Sequence, residues 1–343
     1  MLTYELITLI LRNPFRLSYG VSDSRDAYWI RLNHDEGWGE GTIPPYYRVD
    51  SKELTQFWDD AANKKRPLPD DPAEIPGWIG PGGPAPARCA LELALFDRIG
   101  KIKGVPLYKL LGVPKPKPRP TSFTIAIDTP EIMAQMAAQI QDYPVIKVKL
   151  GSDDDAARLA AIRSVRPDAR LRIDANAGWT REEALRNVHD LEKYQLEMIE
   201  QPLVKNDIEG LGLVQKTTDI PIVADESVQS LEDVEKLAEA GVKGINLKLM
   251  KLGGITPTIK ILRRANELGL KVMLGCMIET SIGTTAMAHL AALADWFDLD
   301  APMLTKNDPF DGICYDQHVH FTIPNRPGIG VIRKPTPALA PGV

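Results

Sequence analysis

The sequence of 343 residues predicts an α/β protein whose main part is a parallel barrel of alternating strands and helices. The first observation is that five short apolar segments each end in a charged residue, at positions 149, 174, 200, 225 and 248. The second is that these ends recur at similar steps, which a strand, a helix and their loops would roughly fill. Active sites of such barrels lie at the carboxyl ends of the strands. The sequence therefore predicts that the five charged side chains meet at one end of the barrel.

Strands alternate with helical segments from Thr121 onward, and their number is sufficient to close a barrel. Each strand is a short apolar run, and each of the first seven is followed by a longer segment of helical character. The predicted strands are TSFTIAI, VIKVKL, RLRIDA, LEMIEQP, PIVADES, GINLKLM, KVMLGCM and WFDLDA. Eight parallel strands form a barrel whose interior is filled by side chains.

The first part of the chain has a different pattern. Residues 1–47 are rich in strand-forming residues, with a turn at 34–37 and a predicted loop at 13–26. Helical patterns follow at 51–62 and 85–100. The proline-rich stretch GVPKPKPRP at 112–120 is typical of an extended linker, so we expect a boundary between two structural units there.

Composition narrows the class of function. The net charge is −5, with 41 basic and 46 acidic residues, which gives no electrostatic reason to expect a nucleic-acid partner. The three cysteines are widely separated and too few for a disulfide scaffold, so a reduced, cytoplasmic location is expected. No apolar run approaches the ~18 residues that a membrane helix needs, so no membrane partner is expected.

Three of the five strand ends carry carboxylates, namely Asp174, Glu200 and Asp225. Oxygen ligands of this kind suit Mg²⁺, whereas zinc prefers nitrogen and sulfur. The alternative is that each carboxylate caps the helix that follows its strand. Three in consecutive units favour the metal site over that alternative.

The other two strand ends carry Lys149 and Lys248, on strands that lie nearly opposite each other in an eight-stranded barrel. A lysine beside a divalent cation loses its proton more easily, so both are candidates for general acid/base groups. Lys147 shares a strand face with Lys149 and could tune it electrostatically. The alternative for all three lysines is a salt bridge with a nearby carboxylate.

Further polar residues follow the strands. Asp298 and Asp300 lie on one face of the last strand and suggest a site for a cationic substrate group, although local capping would also explain them. Asn176 could support the metal ligands or hold its loop. Cys276 ends the seventh strand, where it could contact substrate, but packing as a small residue is the simpler interpretation.

Several of these segments are recognisable as a set of motifs. They are KVK at 147–149, DAN at 174–176, EQP at 200–202, DES at 225–227 and the lysine of NLKLMKLGG at 248. The set resembles the enolase superfamily, in its muconate-lactonizing subgroup. The resemblance implies a modified (β/α)₇β barrel, TIM-like, with an α+β capping domain. It also implies Mg²⁺ at Asp174, Glu200 and Asp225, and a possible homo-oligomer.

The resemblance implies a reaction as well. Members of the superfamily remove a proton α to a carboxylate, and Mg²⁺ stabilises the enolate that forms. Lys149 and Lys248 match the two acid/base positions. GCMIETS at 275–281 and DLDA at 298–301 are most similar to dipeptide epimerases, in which the aspartate pair binds the free ammonium of the dipeptide. N-acylamino acid racemase, o-succinylbenzoate synthase and muconate cycloisomerase use the same lysine pair and remain alternatives, as does a binding protein without catalysis.

The resemblance also bears on the substrate's second residue. Epimerases acting on Ala-Glu carry an arginine in a loop of the first domain, where this chain has Tyr19 and Gly20, and neither Arg16 nor Arg25 matches in register. Tyr19 favours an apolar or mixed side chain, and Glu279 would permit a cationic one. We therefore expect a dipeptide epimerase that is not specific for Ala-Glu. The expected units are a capping domain at 1–118, a barrel at 119–320 and a segment at 321–343 that returns to the cap.

Overall fold

The computed structural model of the protein describes residues 1–42, 45–64 and 66–335. None of the helices in these ranges is both long and apolar enough to span a lipid bilayer. Two sheets organise the chain, a small antiparallel sheet at the amino end and a parallel sheet of eight strands.

The antiparallel sheet contains β1 (Leu2–Leu17), β2 (Gly20–Leu32) and β3 (Gly37–Thr42), in that order. The expected loop at 13–26 is wrong, because β1 and β2 continue through it as a hairpin whose turn is Ser18 and Tyr19. The pairing register shifts between Ile10 and Phe15, where Pro14 lies. A bulge of this kind interrupts the alternation of side chains, so the strand pattern is lost from the sequence there.

Four helices follow this sheet: α1 (Ser51–Asn63), α2 (Ile75–Ile79), α3 (Ala85–Lys103) and α4 (Leu107–Leu110), with 3₁₀ turns at Pro45–Tyr47 and Pro72–Glu74. Most of α3 is buried, because it carries apolar residues on most of its sides. It lies directly against β3, where a Cβ atom added to Gly39 would come within 1.8 Å of the carbonyl oxygen of Ala90. Glycine in β3 therefore permits the close approach of helix and sheet.

The parallel sheet contains all eight strands that the sequence predicts. A short strand, β4 (Arg119–Pro120), precedes it. The eight strands are β5 (Phe123–Ile125), β6 (Val145–Lys149), β7 (Arg170–Asp174), β8 (Leu196–Glu200), β9 (Ile222–Ala224), β10 (Gly244–Leu247), β11 (Lys271–Gly275) and β12 (Trp296–Asp298). They pair in sequence order, and the backbone N–H of Ser122 donates to the carbonyl of Phe297 between the two ends of the sheet. The predicted barrel is confirmed.

Helices separate successive strands of the barrel, which gives the (β/α)₇β arrangement. They are α5 (Pro130–Gln139), α6 (Asp155–Val165), α7 (Arg181–Leu191), α8 (Ile208–Gln215), α9 (Leu231–Ala240), α10 (Leu249–Leu252), α11 (Ile255–Glu267) and α12 (Ser281–Ala288), with 3₁₀ turns at Glu192–Tyr194 and Ala291–Leu293. A further short helix, α13 (Ala301–Leu304), follows the last strand. Strands covered on both faces are buried along most of their length, which explains why they read as apolar runs.

The chain after the barrel contacts both units. Its strands are β13 (Phe310–Asp311), β14 (Cys314–Tyr315), β15 (His320–Thr322) and β16 (Ile332–Arg333). β15 pairs with β4, and the carbonyl of Gly328 accepts a hydrogen bond from Leu107 at the start of α4. The domain limits at 118 and 320 stay predictions, and the end of the expected last segment, at 336–343, lies outside the described residues.

Candidate active site

The five charged strand ends meet at the carboxyl end of the barrel. Lys149, Asp174 and Glu200 close β6, β7 and β8, and they are direct neighbours in the pairing register. Asp225 and Lys248 follow the last residues of β9 and β10. All five side chains are buried. The five side chains therefore meet at one end of the barrel, as the strand spacing predicts.

The carboxylates do not cap the helices that follow them. Thr180 caps α7, Asp207 caps α8 and Ser230 caps α9, in each case by accepting a backbone N–H with its side chain. These three residues supply the oxygen that a helix start requires. The capping alternative is thus excluded for Asp174, Glu200 and Asp225, which are left for the centre of the site.

Lys147 joins three acidic residues beneath the site. Its Nζ lies 3.0 Å from Asp174, 2.7 Å from Glu200 and 2.7 Å from Asp298. Burial alone would lower the pKa of Lys147, but the charges of its acidic neighbours, Asp174 first, raise that pKa well above its usual value. Lys147 is therefore a fixed positive charge under the acidic cluster.

Lys149 and Lys248 each pair with a different aspartate. Lys149 Nζ lies 2.6 Å from Oδ2 of Asp174, and Lys248 Nζ lies 2.7 Å from Oδ2 of Asp225. Burial opposes ionisation of Asp174 and Asp225, yet the lysines hold the pKa of both carboxyls below its ordinary range. Burial would lower the pKa of Lys248, but its acidic neighbours, Asp225 first, together raise that pKa well above its usual value. The salt bridges that were the alternative role of these lysines are therefore present. Lys149 and Lys248 nevertheless line one cavity, as two acid/base groups would.

The donor chemistry of the acidic cluster fits a hard divalent cation. Burial and the charge of Asp174 raise the pKa of Glu200 to about 8. A pKa is raised in this way when carboxylates lie close together with too little positive charge to neutralise them. Oε2 of Glu200 accepts no directed hydrogen bond from the described residues. Among the described residues, no three Asp, Glu, His or Cys side chains are already placed so that they could hold one metal ion. The lysine ammonium groups hold Asp174 and Asp225 instead, so the fit rests on donor type and charge.

Lys251 also contacts the acidic cluster, and sequence reasoning did not single it out. It lies on α10, and its side chain is fully buried. Its Nζ donates to Oδ1 of Asp225 at 2.7 Å, to the carbonyl of Asn246 at 2.9 Å and to the carbonyl of Asp225. All three donors of the ammonium are satisfied. The spacing of three residues from Lys248 was the signal that could have placed it one helical turn below that lysine.

The aspartate pair lies at the carboxyl end of β12, two strands from Lys248 in the order of the barrel. Oδ1 of Asp298 accepts from the hydroxyl of Ser122 at 2.6 Å, and Oδ2 of Asp300 accepts from the backbone N–H of Thr124 at 2.7 Å. Burial works against ionisation of Asp298, but Lys147 holds its pKa below the ordinary value. Burial and the charge of Asp298 raise the pKa of Asp300 to about 7. Both aspartates line the cavity, as a site for a cationic group requires.

Asn176 stands between two carboxylates. Its backbone N–H donates to Oδ1 of Asp174 at 2.9 Å, and its side chain donates to Oε1 of Glu226 at 3.3 Å. Glu226 is buried and lines the cavity, and sequence reasoning did not single it out. Burial and the charge of Asp225 raise the pKa of Glu226 to about 7. Asn176 thus orients Asp174 from the loop after β7.

The mouth of the cavity is lined by the antiparallel sheet and its following turn. Tyr19 and Cys276 line it, as expected, together with Tyr46, Tyr47 and Arg25, which sequence reasoning did not place there. Cys276 donates to the carbonyl of Asp298 and has a pKa raised by burial, which fits packing better than reactivity.

Glu279 does not line the cavity. Its Oε2 accepts from the backbone N–H of Met277 at 3.3 Å and its Oε1 from the hydroxyl of Thr284 at 3.3 Å. Burial and the charge of Glu40 raise its pKa well above the usual value. Glu279 therefore lies behind the wall of the site, and the structure lends no support to contact with a cationic substrate side chain.

Sequence comparison gives the family. The model of the family described as "Enolase C-terminal domain-like" matches residues 131–335. The chain belongs to the enolase superfamily. Among its relatives is an L-Ala-D/L-Glu epimerase from Bacteroides thetaiotaomicron, which is 36% identical over 338 residues, covering 97% of this chain and 88% of the relative.

Solved structures agree with the assignment to this superfamily. A dipeptide epimerase from Cytophaga hutchinsonii, in complex with Mg and the dipeptide D-Ala-L-Val, has a TM-score of 0.91 and 29% identity, and the match covers 97% of this chain and 95% of that one. An N-succinyl Arg/Lys racemase from Bacillus cereus has the same TM-score of 0.91 at 26% identity, with coverage of 97% and 95%. The fold therefore accommodates both dipeptide and N-acylamino acid chemistry among these neighbours.

Proposed function

We propose that the protein is a Mg²⁺-dependent dipeptide epimerase that inverts the α-carbon of the carboxy-terminal residue. The observation that carries the proposal is that one cavity is lined by Lys149 and Lys248, which come from different strands. The same cavity is also lined by the buried pair Asp298 and Asp300. Two acid/base groups are needed to remove a proton from one face of a carbon and return it to the other. The aspartate pair supplies a site for a substrate that keeps a free ammonium group.

Asp174, Glu200 and Asp225 would hold the metal ion. When bound, Mg²⁺ supplies positive charge that lowers the pKa of the substrate's α-proton. The residues of the chain perform the remaining tasks. Lys149 and Lys248 remove and deliver the proton, Lys147 stays charged beneath the site, and Asn176 keeps Asp174 oriented.

Asp298 and Asp300 fix the other end of the dipeptide. A charge-assisted hydrogen bond from the substrate ammonium to Asp298 would be strong because the carboxylate is buried. Holding both ends of the dipeptide sets its α-carbon between the two lysines, which is the positioning that proton transfer requires.

N-acylamino acid racemisation is the second candidate, because the racemase from Bacillus cereus shares the fold over nearly the whole chain. An acylated amino acid has no ammonium group at the position that Asp298 and Asp300 would serve. Asp298 and Asp300 would then face a neutral amide, so attraction to the substrate would not offset the free-energy cost of burying these acidic groups. The aspartate pair therefore favours the dipeptide.

The remaining expectations stay predictions. They are a capping role for residues 1–118, a cytoplasmic location, a homo-oligomeric state and a preference other than Ala-Glu. The three cysteines, which are free thiols, agree with a reducing location.

The test is α-proton exchange in D₂O followed by proton NMR, with Mg²⁺ present. One sample contains pooled L,L-dipeptides and a second contains pooled N-succinylamino acids. We expect the α-proton signals of dipeptides to disappear and signals of the epimers to grow, with EDTA stopping both changes. Exchange confined to the acylated pool would move the assignment to the racemase, and exchange in neither pool would contradict both candidates.

A further inference from the structure

The cavity has two uncharged walls that proton transfer does not use. We call Tyr19, Tyr46 and Tyr47 the tyrosine wall, and Phe15, Ile278 and Leu304 the aliphatic wall, which includes one phenylalanine. Ligand sites of this kind fix orientation with a few polar groups and bind the rest of the ligand by apolar contact. The two walls therefore bear on which side chains a substrate carries.

The tyrosine wall lies beside the metal-binding carboxylates. The rings of Tyr19 and Tyr46 are 5.5 Å apart, and those of Tyr46 and Tyr47 are 5.3 Å apart, so the three form a continuous surface. Burial raises the pKa of Tyr47, and the charge of Asp225 adds to that rise. Tyr47 lines the same cavity as Asp225 and Lys248, and the charges of both act on its hydroxyl group. The tyrosine wall therefore lies on the side of the cavity that contains Lys248.

The aliphatic wall lies beside the aspartate pair. The backbone N–H of Leu304 donates to the carbonyl of Asp300 at 3.2 Å, and Ile278 belongs to the apolar cluster that Phe15 and Leu304 pack against. A second cavity of about 40 Å³ shares Phe15 and Leu304 with the first. Its further apolar lining is Leu11, Phe123, Ala126, Met136 and Met303.

The charges at the two ends give a dipeptide one orientation. Its carboxylate lies at the metal end and its ammonium at the aspartate end, if the proposed function holds. The side chain of the carboxy-terminal residue then faces the tyrosine wall, and that of the amino-terminal residue faces the aliphatic wall.

Resting on that function, we propose that the substrates are dipeptides with a large apolar, preferably aromatic, carboxy-terminal residue and an aliphatic amino-terminal residue. Aromatic rings in pairs gain energy beyond the area they bury, so three tyrosines favour an aromatic side chain. The second cavity gives an aliphatic side chain room beyond that of glycine or alanine. Both walls then select by apolar contact.

Arg25 is the group that would oppose this assignment. Among the described residues that line the cavity from the antiparallel sheet and the turn after it, Arg25 alone is charged, and it forms no ion pair with a described carboxylate. The pKa of Arg25 is lowered by burial, and Tyr19 and Asp26 are the acidic groups that act on it. Arg25 lines the cavity from β2, so an acidic carboxy-terminal side chain is the competing assignment that the experiment must exclude.

The experiment compares kcat/KM for single dipeptides in the D₂O exchange assay. The set is L-Leu-L-Phe, L-Leu-L-Ala, L-Leu-L-Glu, L-Leu-L-Lys and Gly-L-Phe. We expect L-Leu-L-Phe to exceed the Glu and Lys dipeptides by at least about tenfold, and to exceed Gly-L-Phe by about tenfold, in the range that added apolar groups give in enzyme pockets.

Two variants test the walls separately. Tyr46→Ala should reduce the ratio of L-Leu-L-Phe to L-Leu-L-Ala about tenfold, and Leu304→Ala should reduce the ratio of L-Leu-L-Phe to Gly-L-Phe severalfold. Ratios within one variant are independent of how much of the protein is folded. Tyr194→Ala is the control, because Tyr194 is a half-buried tyrosine in the 3₁₀ turn before the amino end of β8, at the other end of the barrel. Both ratios should stay as in the unaltered protein.

The outcomes separate this proposal from the proposed function. Fastest exchange with L-Leu-L-Glu, lost in Arg25→Met, would overturn the apolar assignment and leave the epimerase standing. Fastest exchange with L-Leu-L-Lys would do the same. Ratios unchanged in Tyr46→Ala would overturn the role of the tyrosine wall. Exchange with no dipeptide at all would overturn the epimerase, and this inference with it.

Discussion

The floor of the active site and its mouth are built in different ways. On the floor, Lys147 and Lys251 are buried completely, and each is held by two or more acidic or carbonyl oxygens within 3.0 Å. At the mouth, Tyr19 is 46% exposed on a two-residue hairpin turn. The described contact that ties this turn to the barrel is a hydrogen bond of 2.8 Å from the hydroxyl of Ser18 to the carbonyl of Asn176.

This difference separates chemistry from selection. The lysines proposed to move protons lie at the ends of paired strands, where register sets their relative positions. The three tyrosines proposed to contact a substrate side chain lie on a turn and a 3₁₀ helix, which can change without disturbing the barrel. Loss of a floor residue should therefore stop the reaction, whereas loss of a mouth residue should alter which substrate reacts.

The largest effect is expected from the two reacting lysines. Lys149→Ala and Lys248→Ala should each lower epimerisation by at least about 10²–10⁴-fold, the usual contribution of a general acid/base group. Each variant should still exchange the α-proton of the one epimer that presents it to the remaining lysine. The measurement is loss of the α-proton signal in D₂O, with each epimer supplied separately.

Lys271→Ala is a suitable control for these variants. Lys271 also pairs with an aspartate, Asp295, but at the amino end of β11, and its side chain is 57% exposed. Its removal should leave both rates unchanged. Epimerisation near the unaltered rate in Lys149→Ala would contradict the two-base assignment.

The next largest effect is expected from Lys251→Met. This variant tests whether the stability of the protein depends on the ion pair between Lys251 and Asp225. Lys251→Met would remove the described donor to Oδ1 of Asp225 and one donor to each of the carbonyls of Asn246 and Asp225, while Lys248 would still pair with Oδ2 of Asp225. Breaking a buried ion pair by removing one partner typically costs about 3–5 kcal/mol. We expect the free energy of unfolding in urea to fall by that amount.

Lys101→Met offers a comparison outside the site. Lys101 pairs at 2.6 Å with Asp97, which is buried but also accepts backbone N–H groups from Trp38 and Ile329. Because Asp97 keeps those donors, this variant should lose less stability. Equal losses in the two variants would argue against a special dependence of Asp225 on Lys251.

Most of the floor could be predicted from the sequence, whereas of the tyrosine wall at the mouth only Tyr19 was, and the reason is physical. Lys149, Asp174, Glu200, Asp225 and Lys248 each end a strand, so regular spacing was enough to bring them together. The floor residue that was missed, Lys251, lies beyond the strand on a short helix, where strand periodicity does not extend.

At the mouth, the hairpin was mistaken for a loop because a bulge near Pro14 hides the alternation of β1. Tyr46 and Tyr47 reach the cavity from a 3₁₀ turn that no periodic pattern marks. Glu279 was interpreted as permitting a cationic substrate side chain, yet its carboxylate accepts a hydrogen bond from Thr284. Side-chain direction in such turns depends on tertiary contacts, which the local sequence does not contain.

Asp298→Asn is expected to have the next largest effect. The substitution removes the negative charge of Asp298 and keeps nearly the same side-chain shape. Loss of a charge-assisted hydrogen bond to the substrate ammonium should cost about 1.5–3 kcal/mol of binding. The measurement is KM for a dipeptide compared with KM for an N-succinylamino acid. A rise confined to the dipeptide is expected, and equal changes in both would argue that Asp298 has only a structural role.

The pH dependence of binding should be smaller. Because burial and Asp298 raise the pKa of Asp300 to about 7, Asp300 is neutral below that pH and ionised above it. Dipeptide affinity should therefore increase as the pH rises from 6 to 7.5, by less than about tenfold because Asp298 keeps its charge throughout. Calorimetric titration of the Lys248→Ala variant measures binding without turnover. A flat profile would contradict the ionisation of Asp300 in this range.

The smallest effect is expected at the mouth, from Ser18→Ala. Its hydrogen bond to Asn176 holds the turn that carries Tyr19, and one such bond contributes about 0.5–1.5 kcal/mol. If the mouth selects and the floor reacts, the variant should raise KM for aromatic dipeptides severalfold and leave kcat nearly unchanged. Ser164→Ala, which removes a hydroxyl bonded to Ala161 within α6, should change neither constant. A fall in kcat with Ser18→Ala would mean that the hairpin turn positions the reacting groups through Asn176, and the separation of floor from mouth would then fail at this contact.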